Sequence, residues 1–218
     1  YASIQFVNQL ERVREQLVDV GITVVTSKAD RTHVSSQLLG CDNYHDSLNL
    51  DKNKDSALDA YLYVGDGKFH PLALVYAQKD QETMKEIVCN DPIQKAMSVM
   101  SVADIKTILL KYRGSLITFL SAQTVGVIVT IKPGQEQFRP GLMLEKKYPY
   151  KTFYYFIDNV VSFDQLENFN FIEVWVNTAC PRVGFDDQEK FVRGVVNLND
   201  ALQAAEILGK ESVMMSLK

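Results

Sequence analysis

Cysteine is scarce: Cys41, Cys89 and Cys180 are the only three in 218 residues. They are too few and too far apart for the disulfide framework of a small secreted domain, so reduced thiols are expected. A basic surplus is also lacking, since 23 Lys and Arg stand against 27 Asp and Glu for a net charge of −4. Counterion release from nucleic acid then has little to work with, and direct nucleic-acid binding is not expected. No apolar run approaches the roughly 20 residues of a membrane span, and the start has none of the sections of a signal peptide. A cytoplasmic chain without a membrane partner is the expectation. There is no GxxxxGK[ST], no GxGxxG and no HExxH. Nor is there an initiator methionine: the chain opens in a strand-like segment, and an upstream part of a longer protein is expected.

What is present is an ordinary globular composition, 46% hydrophobic and 23% charged, enough for one large or two small domains with cores. Strand-like runs alternate with helical patterns. Residues 1–7 read as a strand. In NQLERVREQLVDV, residues 8–20, apolar positions 10, 13, 17 and 20 share one helix face, and Gly21 follows as a stop. Residues 22–26 (ITVVT), 58–64 (LDAYLYV) and 86–89 (EIVC) read as strands, with a helix over 69–78. A long helical region over 93–122, interrupted at KYRG, separates this unit from a second. There, strands are expected at 125–130, 152–157 and 171–176, with helix-compatible sequence at 138–148. The reading is an α/β fold of two repeated parallel-sheet domains, residues 1–104 and 105–218, alike in element order but not in letters.

Ligands of open parallel sheets bind beyond the carboxyl ends of the strands. Four segments lie there: LLGCD at 38–42, GDGKFHP at 65–71, TIKPGQ at 130–135 and NTACPR at 177–182. Two of them carry a cysteine, one in each unit. Thiolates facing each other across a cleft would suit a soft metal or an iron–sulfur cluster, whereas a cysteine beside a strand end is also a common small buried residue. Cys89 reads as structural. Cys41 and His45 form C-x3-H without a second ligand pair, which argues against a closed zinc site; His33 has no companion, and His70 reads as a first-turn residue. The GDG around Asp66 suits a turn, but glycine-flanked backbone with a Lys and a Gln amide nearby would also receive an amino-acid carboxylate or a nucleoside.

On QLLGCD (37–42), YLYVGDGKFHPLALVYA (61–77), VTIKPGQ (129–135) and FIEVWVNTACPRVGFDD (171–187), in that order and spacing, the chain resembles the archaeal diphthamide-synthesis enzymes of the noncanonical radical S-adenosylmethionine type. The resemblance implies the second and third of three pseudo-threefold α/β domains around one [4Fe–4S] cluster. It implies Cys41 and Cys180 as two cluster ligands, the third lying in an N-terminal domain that the 218 residues do not match. Gly65, Gly67, Lys132, Gly134 and Gln135 become candidates for holding S-adenosylmethionine. Pro181 would stiffen the turn after Cys180, and Asp186 and Asp187 would cap the following helix. The implied reaction transfers a 3-amino-3-carboxypropyl group to a histidine of translation elongation factor 2, in a homodimer served by an unidentified electron donor. Two other readings stand beside it. One is a non-catalytic partner subunit that keeps another chain's cluster reduced. The other is an enzyme like quinolinate synthase, which resembles the same three-domain plan.

Overall fold

In a computed structural model, described here for residues 1–51, 57–67, 69–132, 138–160, 162–185 and 190–209, the chain separates into two compact units, Tyr1–Leu109 and Leu110–Lys218.

The first unit departs most from the sequence reading. Residues 1–7 are not a strand: only Ala2 forms β-bridges, parallel to both Gln37 and Val64, and Ile4–Gln9 is a 3-10 turn leading into helix α1, Leu10–Asp19. Gly21 ends α1 at φ +86°, where a side chain would be strained. The β-branched run 22–26 forms no strand. It borders a cavity of about 460 Å³ that α1 faces with Leu10, Val13 and Leu17 and that Ala60 and Leu62 line from the sheet. β-branching favours an extended chain, but a strand needs a neighbour to take up its backbone groups.

The sheet is β1 (Ala60–Val64), β2 (Glu86–Asp91) and β3 (Ala96–Met100), in that order. Helix α2, Pro71–Ala77, is buried along most of its length and starts on a proline, whose missing N–H costs nothing at that position. β1 and β2 pair in parallel, but β3 returns antiparallel, so the sheet is mixed. Residues 93–101 thus leave the predicted helical region. Asp91 accepts hydrogen bonds from the Ile93 and Gln94 N–H groups at 2.9 and 3.0 Å, and Lys95 takes φ +51°, closing a hairpin. Helix α3, Val102–Ser121, begins with a reciprocal cap between Ser101 and Asp104, and KYRG does not interrupt it. The division between the units falls within α3.

The second unit follows its pattern closely. β4 (Thr124–Thr130), β5 (Thr152–Asp158), β6 (Val174–Asn177) and β7 (Val195–Asn197) form a wholly parallel sheet in the order β5-β4-β6-β7. Helices α4 (Phe138–Gly141), α5 (Met143–Lys147) and α6 (Phe163–Leu166) come before β6, α7 (Pro181–Phe185) links β6 to β7, and α8 (Leu198–Leu202) and α9 (Ala204–Gly209) follow. Ile128, Ile172, Trp175, Phe191 and Val195 form a buried cluster under Phe156 and Phe169. Every residue of β6 is buried, as a central parallel strand requires. Its start is held by Glu173, whose Oε1 accepts the Gln123 and Thr124 N–H groups at 3.0 and 2.8 Å. The Thr124 hydroxyl also donates to it at 2.6 Å, and this bond first, then the backbone ones, hold the Glu173 carboxyl below the ordinary range. No helix among the described residues is long and apolar enough to cross a membrane.

Candidate functional site

Parallel pairing decides which predicted residues share an edge. In the first unit, Ala2 bridges Gln37 and Val64 in the same direction, so 38–41 and 65–67 leave the sheet at one edge. Cys41 and the two glycines, Gly65 and Gly67, therefore belong to one end of the unit. In the second unit, β4 and β6 run parallel with Ile128 opposite Asn177, and the Thr178 N–H and hydroxyl both donate to the Ile128 carbonyl, at 3.0 and 2.8 Å. Lys132 and Cys180 accordingly follow strands that end at the same edge.

Cys41 is half-buried in a turn tied down by the residue after it. The fully buried Asp42 carboxylate accepts the Leu39 and Arg31 N–H groups at 3.1 and 3.4 Å. Burial pushes its pKa up, opposed by those two backbone donors. The Asn43 carbonyl in turn accepts a hydrogen bond from the buried Lys79 ammonium at 3.2 Å, and that ammonium lies 3.8 Å from the centre of the Tyr44 ring. The thiol thus sits on backbone held from two sides.

Cys180 is also half-buried, and its turn is built from the ends of β6 and β7. Asn177 Nδ2 donates to the Cys180 carbonyl at 2.9 Å and to Asn197 Oδ1 at 2.7 Å, while Asn177 Oδ1 accepts the Ala179 N–H at 3.0 Å. Asn197 Nδ2 donates to the Pro181 carbonyl at 2.9 Å. Behind them, the buried Tyr112 hydroxyl donates to Asp200 and accepts the Asn197 N–H at 3.4 Å. Pro181 does open α7, as its fixed φ favours.

The remaining candidates divide. At Gly65 a β-carbon would strike the Tyr63 ring and Ser3 Oγ, so close packing accounts for this glycine. Gly67 takes φ +65° in a turn where the Asp66 carboxylate accepts a hydrogen bond from Gln5 Nε2 at 2.8 Å. Lys132 is exposed, with its N–H donating to Thr130 Oγ1 at 3.2 Å. Gly134, Gln135, Asp186 and Asp187 lie outside the described residues. Cys89 is in mid-strand on β2, opposite Tyr63 and Ser98. No disulfide involves any of the three cysteines, and among the described residues no three His, Cys, Asp or Glu side chains converge as a closed metal site.

Asn177, Asn197, Tyr112 and Asp200 escaped the sequence reading. Their one legible signal is VVNLND at 195–200, a β-branched pair followed by Asn and, three residues on, Asp, which resembles a helix start. Asn197 is indeed the residue before α8, but its side chain turns to the Cys180 loop and caps nothing.

Fold and site together define a two-unit α/β protein that carries one anchored cysteine on a loop of each unit, a donor chemistry suited to iron–sulfur ligation. The diphthamide synthesis protein family matches residues 1–212, and the chain belongs to that family. It is 31% identical over 217 residues to 2-(3-amino-3-carboxypropyl)histidine synthase of Pyrococcus horikoshii, a match covering 94% of this chain and 58% of that protein. It is 24% identical over 192 residues to 2-(3-amino-3-carboxypropyl)histidine synthase subunit 1 of Schizosaccharomyces pombe, covering 84% of this chain and 41% of the other. The crystal structure of Dph2 from P. horikoshii with a 4Fe-4S cluster superposes with a TM-score of 0.72 at 28% identity, over 97% of this chain and 57% of that one. The chain thus spans little more than half the length of that archaeal relative.

Proposed function

We propose that these residues form part of an iron–sulfur transferase that moves the 3-amino-3-carboxypropyl group of S-adenosylmethionine to a histidine of translation elongation factor 2. The observation that carries this reading is the occurrence of two anchored loop thiols, Cys41 and Cys180, together with family membership along residues 1–212. Cys41 and Cys180 serve as two cluster ligands, with a third thiolate supplied from outside the 218 residues. Three protein thiolates leave one iron of a four-iron cluster open to the methionine part of the sulfonium substrate. When bound, the cluster would supply one electron; the Cγ–S bond would break to methylthioadenosine and a carbon radical, the radical would add to the imidazole ring, and loss of the ring proton together with return of one electron would restore the aromatic ring. On this reading Gly65, Gly67, Lys132, Gly134 and Gln135 are the residues that serve S-adenosylmethionine. A cytoplasmic homodimer is part of the same proposal.

The test is anaerobic reconstitution with ferrous iron and sulfide, followed by reduction in the presence of S-adenosylmethionine and elongation factor 2. Methylthioadenosine should appear in step with modified elongation factor. A [4Fe–4S] absorption that forms without any methylthioadenosine release would overturn the transferase reading and favour a subunit that only keeps a partner's cluster reduced.

A further inference from the structure

Asn177 and Asn197 are each 2% exposed. Burying an amide costs free energy unless its hydrogen bonds are remade. An apolar residue would end a buried strand at lower cost, yet both strands end in Asn, and the bonds of the two amides go to one place. They engage the Cys180 carbonyl, which is in the peptide that follows the cysteine, and the Ala179 N–H and Pro181 carbonyl, each one peptide further out in the same turn, and they engage each other. One of these bonds joins the cross-strand pair Asn177 and Asn197 where β6 and β7 end, and the other three go to the Cys180 turn. The Cys180 carbonyl also accepts the Val183 N–H at 2.9 Å, so the peptide after the cysteine is held from the strand side and the helix side at once.

We propose that Asn177 and Asn197 are positioning residues for Cys180. By fixing the peptide after its Cα, and the next peptides out on either side of the turn, they narrow the directions open to the Cα–Cβ bond, so the thiolate is aimed before iron arrives. This rests on the reading of Cys180 as an iron ligand. Outer partners that orient a metal ligand are typically worth about 10- to 100-fold in metal affinity. Asn177→Ala removes three of the bonds. Asn197→Ala removes two of them and leaves the Asn177 bonds to the Ala179 N–H and the Cys180 carbonyl in place, so it should have the smaller effect.

Two readouts test this. In the metal-free protein, native-state alkylation by iodoacetamide is followed at each cysteine by peptide mass spectrometry; Asn177→Ala should raise the rate at Cys180 several-fold while Cys41 and Cys89 keep theirs. In the reconstituted protein, iron should be lost to a chelator about 10- to 100-fold more readily, and the electron paramagnetic resonance signal of the reduced cluster should shift. Equal acceleration at all three cysteines, or no change at Cys180, would show a general packing role and overturn the inference. If Asn177→Ala does not fold, Asn197→Ala carries the same comparison. Cys180→Ala separates the two claims: an intact cluster in that variant defeats the ligand reading, whereas alkylation still decides whether the asparagines hold the loop.

Discussion

Gly184 faces the side-chain amide of Asn197 so closely that a β-carbon at 184 would lie 2.6 Å from the amide carbon. Helix α7 packs against the end of β7 only because residue 184 has no side chain. Gly184→Ala should therefore lower stability by about 1–3 kcal/mol through overpacking. Gly114 makes the contrast: it lies in the interior of α3, and a β-carbon there would meet no atom within 4 Å. Gly114→Ala should stabilise by about 0.5–1 kcal/mol. Urea unfolding of both variants checks the pair, and the two effects should have opposite signs.

Tyr112 is fully buried, and its hydroxyl joins Asp200 to the Asn197 N–H. Tyr112→Phe keeps the ring against Phe185, 4.8 Å between centroids, and removes only the oxygen. The loss should be about 1–3 kcal/mol, because a carboxylate is left short of a donor. It should be seen as a lower denaturation midpoint with an unchanged m value.

Glu173 gives a pH signature. Its carboxyl is held below the ordinary glutamate range, chiefly by the hydrogen bonds from Thr124, so the folded state favours the ionised form. That contribution is present above the unfolded pKa and is lost as pH falls through the lower folded one. Glu173→Gln retains an acceptor oxygen but no charge. Thermal midpoints of the two proteins should differ near neutral pH and converge as pH falls through and below the ordinary glutamate range. A gap that widens on acidification would contradict the assignment.

The three cysteines should separate by role. Cys41→Ala and Cys180→Ala should each abolish or sharply reduce iron and sulfide content after reconstitution, while Cys89→Ala, in mid-strand on β2, should leave it unchanged. Iron per protein chain is the measurement. Equal losses from all three would point to a folding effect instead of ligation.

Capping is the last test. Ser101 and Asp104 exchange hydrogen bonds at the start of α3. Ser101→Ala should cost about 1 kcal/mol, read as a lower unfolding midpoint.

In the second unit the interior strands β4 and β6 were legible because they are buried along nearly their whole length and so are written as continuous apolar runs, and the edge strand β5, which has no buried residue, was legible from its aromatic and β-branched letters. Among the described strands of this unit the three-residue β7 went unseen, too short to leave a pattern, and so did the short helices α6 to α9. The first unit was less legible. ITVVT has the letters of a strand and no ladder, while AMSVM, with four of its five residues exposed, pairs as β3 because a hairpin brings β2 beside it.

By itself the sequence determined the α/β class, the strand and helix alternation through most of the second unit and the place of Cys180 in a loop after an extended segment. Those follow from local periodicity and from residue chemistry. Tertiary structure alone decided that Asn177 and Asn197 meet, that Tyr112 and Asp200 stand behind them, and that Lys79 braces the loop after Cys41. Such contacts join residues 20, 88 and 36 positions apart, and hydrogen bonds of that reach arise only when strands and helices have packed.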